Sequence, residues 1–123
     1  MEKKAKRILV VDDSATMRQL VRMMVIKYTG CVVSEARDGQ EAFEMIGAES
    51  FDLVVTDINM PRMHGLALIE KVRKEGLDIP IIIVTTMGAE KDRELGMELG
   101  ANAYVTKPVN GVKLAEAIKS LLE

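Results

Sequence analysis

Two patterns alternate along the chain. Short continuous apolar runs rich in β-branched residues read as strands: ILVV at 8–11, LVVT at 53–56, IIIV at 81–84 and AYVT at 103–106, with a further one beginning at Cys31. These runs do not alternate with polar residues, as expected of strands covered by helices on both faces. Between them, apolar residues recur at three- and four-residue spacing. This predicts helices over 14–28 (Met17, Leu20, Val21, Met24, Tyr28), about 40–46 (Ala42, Phe43, Ile46), around Leu66, Ile69 and Val72, over about 90–99 (Leu95, Leu99), and around Leu114, Ile118, Leu121 and Leu122. Ser14 is the expected N-cap of the first helix. Gly30, Gly47, Gly76 and Gly100 follow the first four, where a left-handed C-terminal cap is wanted. Five strand–helix units imply an α/β domain with a parallel sheet and right-handed crossovers.

The strands stop at polar residues: Asp12-Asp13, Asp57, Thr85 and Lys107-Pro108. In a parallel sheet the carboxyl ends of neighbouring strands lie side by side, and ligands bind there. Three carboxylates, a hydroxyl and an ammonium are therefore expected to converge on one small site. Carboxylates so gathered repel one another unless a cation joins them. An oxygen-only donor set favours Mg²⁺ over a transition metal.

Composition narrows the function. At 123 residues the chain is expected to be one domain, 1–123, with no linker, repeat or output domain, the last helix running to Leu121-Leu122-Glu123. Seventeen basic and 19 acidic residues give a net charge of −2, without the basic excess of a nucleic-acid binder. The basic opening MEKKAKR precedes no apolar stretch long enough for a signal peptide or membrane span, and reads as a solvated lead-in. The lone Cys31 is expected to be a small buried residue, and the lone His64 a surface loop residue. A cytoplasmic monomer is expected. Of nine methionines, Met17, Met24 and Met45 read as core fillers, while Met63 and Met87 lie in loops near the site.

The stretches VVDDSATMR at 10–18, DINMPRMHG at 57–65, VTT at 84–86 and YVTKP at 104–108 together resemble the receiver domain of two-component response regulators, in particular the single-domain, CheY-like members. The resemblance covers essentially the whole chain. It implies a doubly wound, flavodoxin-like (βα)5 fold with strand order 2-1-3-4-5. It makes Asp57 the phosphoacceptor, charged by the phosphohistidine of a histidine kinase. Asp12 and Asp13 then bind Mg²⁺ together with Asp57 and the backbone carbonyl of Asn59, and Thr85 and Lys107 bind the phosphoryl group. Thr85 and Tyr104 match the family's switch pair, in which the threonine moves toward the phosphoryl group and the aromatic ring turns inward. A downstream target then reads the surface of the fourth helix, fifth strand and fifth helix. A chemotaxis role with a flagellar-motor target is the expected output, with a phosphorelay intermediate as the alternative. A cis peptide before Pro108 is a feature of the family, and the sequence alone leaves cis and trans open here.

Phosphoryl chemistry suits these residues, because a carboxylate can attack phosphorus and transfer needs mainly positioning and charge neutralisation. Gly88 before the fourth helix and Gly96 inside it suggest a weak, movable element. The side chains expected to hold a hydrolytic water are Asn59 and Met87, and the thioether of Met87 is a poor water acceptor, so slow dephosphorylation is expected. Thr86 stands where the family usually has alanine or glycine and is expected to crowd the donor's entrance. Val109 stands where phenylalanine is frequent. Plainer readings remain: a helix cap for Asp12-Asp13, turn formers for Asp57 and Asn59, a strand end for Thr85, a solvated charge for Lys107. Two other functions compete. A flavin- or nucleotide-binding protein would want a Gly/Ser/Thr-rich loop after the first strand. An aspartyl-phosphate phosphatase would need an acid/base where Asn59 stands and a cap domain.

Overall fold

The computed structural model describes residues 5–60, 63–86 and 88–123. Its elements are β1 (Arg7–Val11), α1 (Ala15–Thr29), β2 (Val32–Ala36), α2 (Gly39–Ala48), β3 (Leu53–Asp57), α3 (Gly65–Lys74), β4 (Ile81–Thr85), α4 (Glu90–Leu99), β5 (Ala103–Thr106) and α5 (Gly111–Leu122). All strands are parallel, in the order β2-β1-β3-β4-β5. The doubly wound topology expected from the sequence is the one observed.

Every residue of β3 and β4 is buried, as their unbroken apolar runs demand. Two cores lie on opposite faces of the sheet. One joins Leu9, Val11, Val54, Ile81 and Ile83 to Leu68, Ile69 and Val72 of α3. The other joins Ile8, Val10, Val55, Ile82 and Val84 to Val21 and Val25 of α1 and Leu114 and Ile118 of α5. Met17, Met24 and Met45 pack against these cores as fillers. Cys31 is half-buried rather than buried, lying just outside β2 with a bond from its N–H to the Thr29 hydroxyl.

Several local expectations are corrected. In α1 the face turned inward carries Val21 and Val25, while Leu20 is 41% exposed. Apolar residues ring much of this helix, so spacing alone does not select the buried stripe. Gly47 lies inside α2, which ends at Glu49 in extended conformation. Gly30, Gly76 and Gly100 do take positive φ at or after their helix ends. In α4 the inward residue is Gly96 and Leu95 is exposed. A Cβ on Gly96 would stand 2.6 Å from Cδ1 of Ile83, so the glycine lets α4 approach β4. The C-terminal end of α4 is also tied down: the Arg73 guanidinium donates to the carbonyls of Gly100 and Leu77 and to Asn102 Oδ1.

Candidate functional site

The carboxyl ends of β1, β3, β4 and β5 carry the site. Asp12 follows β1 directly, Asp57 ends β3, Thr85 ends β4, and Lys107 follows β5. Asp57 pairs in register with Val84, and Thr85 with Thr106, so these ends are adjacent. One carboxylate oxygen from each of Asp12, Asp13 and Asp57 lies within 4.8 Å of the others. Lys107 Nζ stands 3.4 Å from Asp57 Oδ2. Asp12, Asp57 and Thr85 are buried and Asp13 is exposed.

Local bonding holds these groups still. Asp57 Oδ1 accepts from the N–H of Ile58 at 2.8 Å, leaving Oδ2 toward Lys107. The hydroxyl of Thr56 donates to the Asp57 carbonyl. Beneath this corner, Gly65 opens α3 with its N–H on the Ile58 carbonyl at 2.8 Å. A Cβ at Gly65 would stand 2.3 Å from the Asp57 carbonyl oxygen, so the backbone carrying Asp57 requires glycine there. Ser14 N–H donates to Asp12 Oδ1, and the Ser14 hydroxyl caps α1 through Met17 N–H as expected.

Burial raises the pKa of Asp12 above its ordinary 3.8, and the charges of Asp57 and Asp13 push it further in the same direction. The Ser14 N–H and Lys107 oppose the shift. The sign follows directly. Just above pH 3.8 the folded chain keeps a proton that the unfolded chain has lost, so stability falls as pH rises through that window and the full burden stands at neutral pH. Asp12→Asn keeps the acceptor for Ser14 N–H and removes the charge. It is expected to raise the melting temperature of the metal-free protein by a few degrees at neutral pH, roughly the effect of 1 kcal/mol in a domain of this size. The gain should shrink toward pH 3.8, and stabilisation by added Mg²⁺ should largely vanish. Thermal unfolding at two pH values, with and without Mg²⁺, checks both.

The donor set fits a hard divalent cation. Three carboxylates against one ammonium leave two negative charges, and every side-chain donor is an oxygen. Ligands at about 2.1 Å from one ion lie at most about 4.2 Å apart, so carboxylate oxygens within 4.8 Å of one another need only a small inward shift to close on it.

Beside this cluster a cleft of about 430 Å³ opens between the β4–α4 loop and β5, lined by Thr85, Thr86, Arg93, Thr106 and Lys107. Thr86 is exposed at its edge. Tyr104 is turned outward, 44% exposed, with the Arg93 guanidinium carbon 4.7 Å from its ring centre. Val109 is buried in the α1/α5 core. The Lys107–Pro108 peptide is cis.

Asn59 is exposed two residues beyond Asp57. His64, expected as a surface loop residue, does lie in the loop before α3 but is half-buried there: it N-caps α3 through Nδ1, which accepts from Leu66 N–H, and its Nε2 lies 3.3 Å from Asn59 Oδ1. Its partners come from the fold, though a polar residue immediately before a helical stretch was a visible capping signal. Met87 lies outside the described residues, as do Pro61 and Arg62 of the DINMPRMHG stretch and most of the basic lead-in.

Known proteins are similar to this chain in sequence or in fold. A family model described as the response regulator receiver domain matches residues 8–119. The "Probable transcriptional regulator ycf27" of Cyanophora paradoxa is 43% identical over 124 residues, covering 99% of this chain and 50% of that protein. "Response regulator MprA" of Mycobacterium ulcerans is 37% identical over 116 residues, covering 94% and 50%. Among solved structures, the chemotaxis protein CheY4 of Vibrio cholerae superposes with a TM-score of 0.88 at 30% identity, covering 97% of this chain and 100% of that one. The chain thus spans about half the length of the curated relatives it matches.

Proposed function

The chain belongs to the response regulator receiver domain family, and from that premise we propose that it is a Mg²⁺-dependent phosphoacceptor switch, charged on Asp57 by a histidine kinase. The observation carrying this reading is the acidic cluster with Lys107 Nζ 3.4 Å from Asp57 Oδ2. In the transfer, an Asp57 oxygen forms a bond to phosphorus as the phosphorus–nitrogen bond of the phosphohistidine breaks. Bound Mg²⁺, held by Asp12, Asp13, Asp57 and the Asn59 carbonyl, would neutralise charge on the transferring group. Lys107 shifts its ammonium from the free carboxylate to a phosphoryl oxygen, and the Thr85 hydroxyl donates to another. No substrate outside the chain is turned over, so the protein is a signalling phosphoacceptor and not an enzyme in the usual sense.

The switch consists of two packings close in energy, biased by new phosphoryl contacts. Thr85 moves toward the phosphoryl group, and Tyr104 leaves Arg93 to turn inward. The altered α4–β5–α5 surface binds a protein target. A solved structure it resembles, CheY4, is a chemotaxis protein, but the flagellar-motor target itself has no support, and the curated relatives are named as regulators of transcription or response regulators. In proteins of their length the same switch would act on an attached output segment. The reading places the domain in the cytoplasm, where histidine kinases present their phosphohistidine. The aspartate pair that follows β1 would repel a nucleotide phosphate, which disfavours the flavin- or nucleotide-binding alternative.

Transfer of label from an autophosphorylated histidine kinase, run with Mg²⁺ and again with a chelator, tests the reading. Transfer indifferent to the chelator would contradict it. Lys107→Ala is expected to keep partial phosphorylation, because the metal carries much of the charge, but to lose most of the surface response. NMR shifts of the Tyr104 ring before and after phosphorylation report that response. A full ring movement in the phosphorylated variant would remove Lys107 from the switch.

A further inference from the structure

The acidic pair has a support that the phosphoacceptor chemistry does not account for. Arg18 lies one turn into α1 with its guanidinium bent back toward the sheet, the side chain 15% exposed. Its Nη1 donates to the backbone carbonyl of Asp12 at 2.9 Å, and its Nε donates to Glu35 Oε1 at 2.9 Å. Glu35 lies on β2 and pairs in register with Val10, and its other oxygen stands 3.7 Å from Arg22 Nε. The carbonyl that Arg18 holds belongs to the peptide linking Asp12 to Asp13. The preceding peptide is pinned as well, by Asp12 N–H on the Ala36 carbonyl at 3.2 Å.

We propose that Arg18 is a positioning residue for the metal: it fixes the Asp12–Asp13 peptide plane, and so the direction in which both carboxylates project, by anchoring that peptide to Glu35. This rests on the phosphoacceptor reading above. The geometry explains why arginine serves here. Two donors of one rigid, planar fork meet a carbonyl and a carboxylate at once, which a lysine ammonium on a flexible stem does not reproduce. Glu35 offsets the cationic charge that would otherwise stand behind a cation site. Asp13 needs this support most, because it is exposed and, among the described residues, its carboxylate has no hydrogen bond or ion pair, so its backbone alone sets its direction. Groups that orient metal ligands typically change metal affinity by 10–100-fold when removed.

The contrary reading is that Arg18 acts through its charge. The two readings predict opposite signs. If position matters, Arg18→Ala should weaken Mg²⁺ binding by about tenfold. If charge matters, removing a cation near the site should tighten it. Arg18→Lys separates them again, because it keeps the charge and loses the fork. Positioning predicts affinity between wild type and Arg18→Ala, whereas a charge effect predicts no change. Mg²⁺ titration of the folded proteins by calorimetry, with circular dichroism to show each is folded, reads this without reference to phosphorylation. Should Arg18→Ala fail to fold, Arg18→Lys carries the test. Wild-type binding with affinity falling in the order wild type, Arg18→Lys, Arg18→Ala is the expected result. Unchanged or tighter binding in Arg18→Lys overturns the inference, while a wild type that binds no Mg²⁺ overturns the phosphoacceptor reading itself.

Discussion

Asp57→Asn is expected to take up no phosphoryl group while keeping the fold. Asparagine has nearly the shape of aspartate, and its Oδ1 can still accept from Ile58 N–H. Its amide lacks the nucleophilic carboxylate that attacks phosphorus, and removal of a nucleophile costs several orders of magnitude in rate. The residue is 7% exposed and sits among like charges, so its neutralisation should stabilise the metal-free chain rather than unfold it. Phosphoryl label per molecule, measured after an acid quench with wild type in parallel, checks the result. Efficient labelling of Asp57→Asn would assign the chemistry to another residue.

Asp13→Ala is expected to cost about a hundredfold in Mg²⁺ affinity. A unit charge about 4 Å from another is worth on the order of 4 kcal/mol in a partly screened setting, so deleting one carboxylate from a divalent site far exceeds a tenfold effect. Asp13 is exposed, and no packing is lost with it. Calorimetric titration of the variant measures this directly. Affinity equal to wild type would reduce Asp13 to a solvated neighbour of the α1 cap.

The sequence made the sheet and its carboxyl edge legible for a physical reason. A strand buried on both faces is almost wholly apolar, so a polar residue marks its end: Asp12 directly follows ILVV and Thr85 directly follows IIIV, whereas Asp57 comes after the buried Thr56 and Lys107 after Thr106 of the half-buried β5. The helices were less legible. Their boundaries follow from spacing, but α1 offers Leu20, Val21, Met23, Met24, Val25 and Ile26 to any partner, and only the placement of α5 selects Val21 and Val25. Gly47 shows the limit of reading glycine as punctuation, since α2 simply continues through it. Gly96, read from its interior position as weakening the helix, also has a packing role that depends on the fold: a Cβ there would stand 2.6 Å from Cδ1 of Ile83. Residues that support the site through distant contacts, Arg18 on Glu35 and His64 beside Asn59, gave no local sign of those partners. Gly65 could have been noticed as a glycine at a helix start, though its contact with the Asp57 carbonyl depends on the fold.

The most direct test of the phosphoacceptor reading is the location of the phosphoryl group on the wild-type protein. The chain is charged with a small phosphodonor in Mg²⁺, reduced with borohydride, which converts a carboxyl phosphate to an alcohol, and mapped by peptide mass spectrometry. Conversion of residue 57 alone, absent when a chelator replaces Mg²⁺, is the predicted result. Conversion at Asp12 or Asp13, or labelling at residue 57 that persists without the metal, would contradict it.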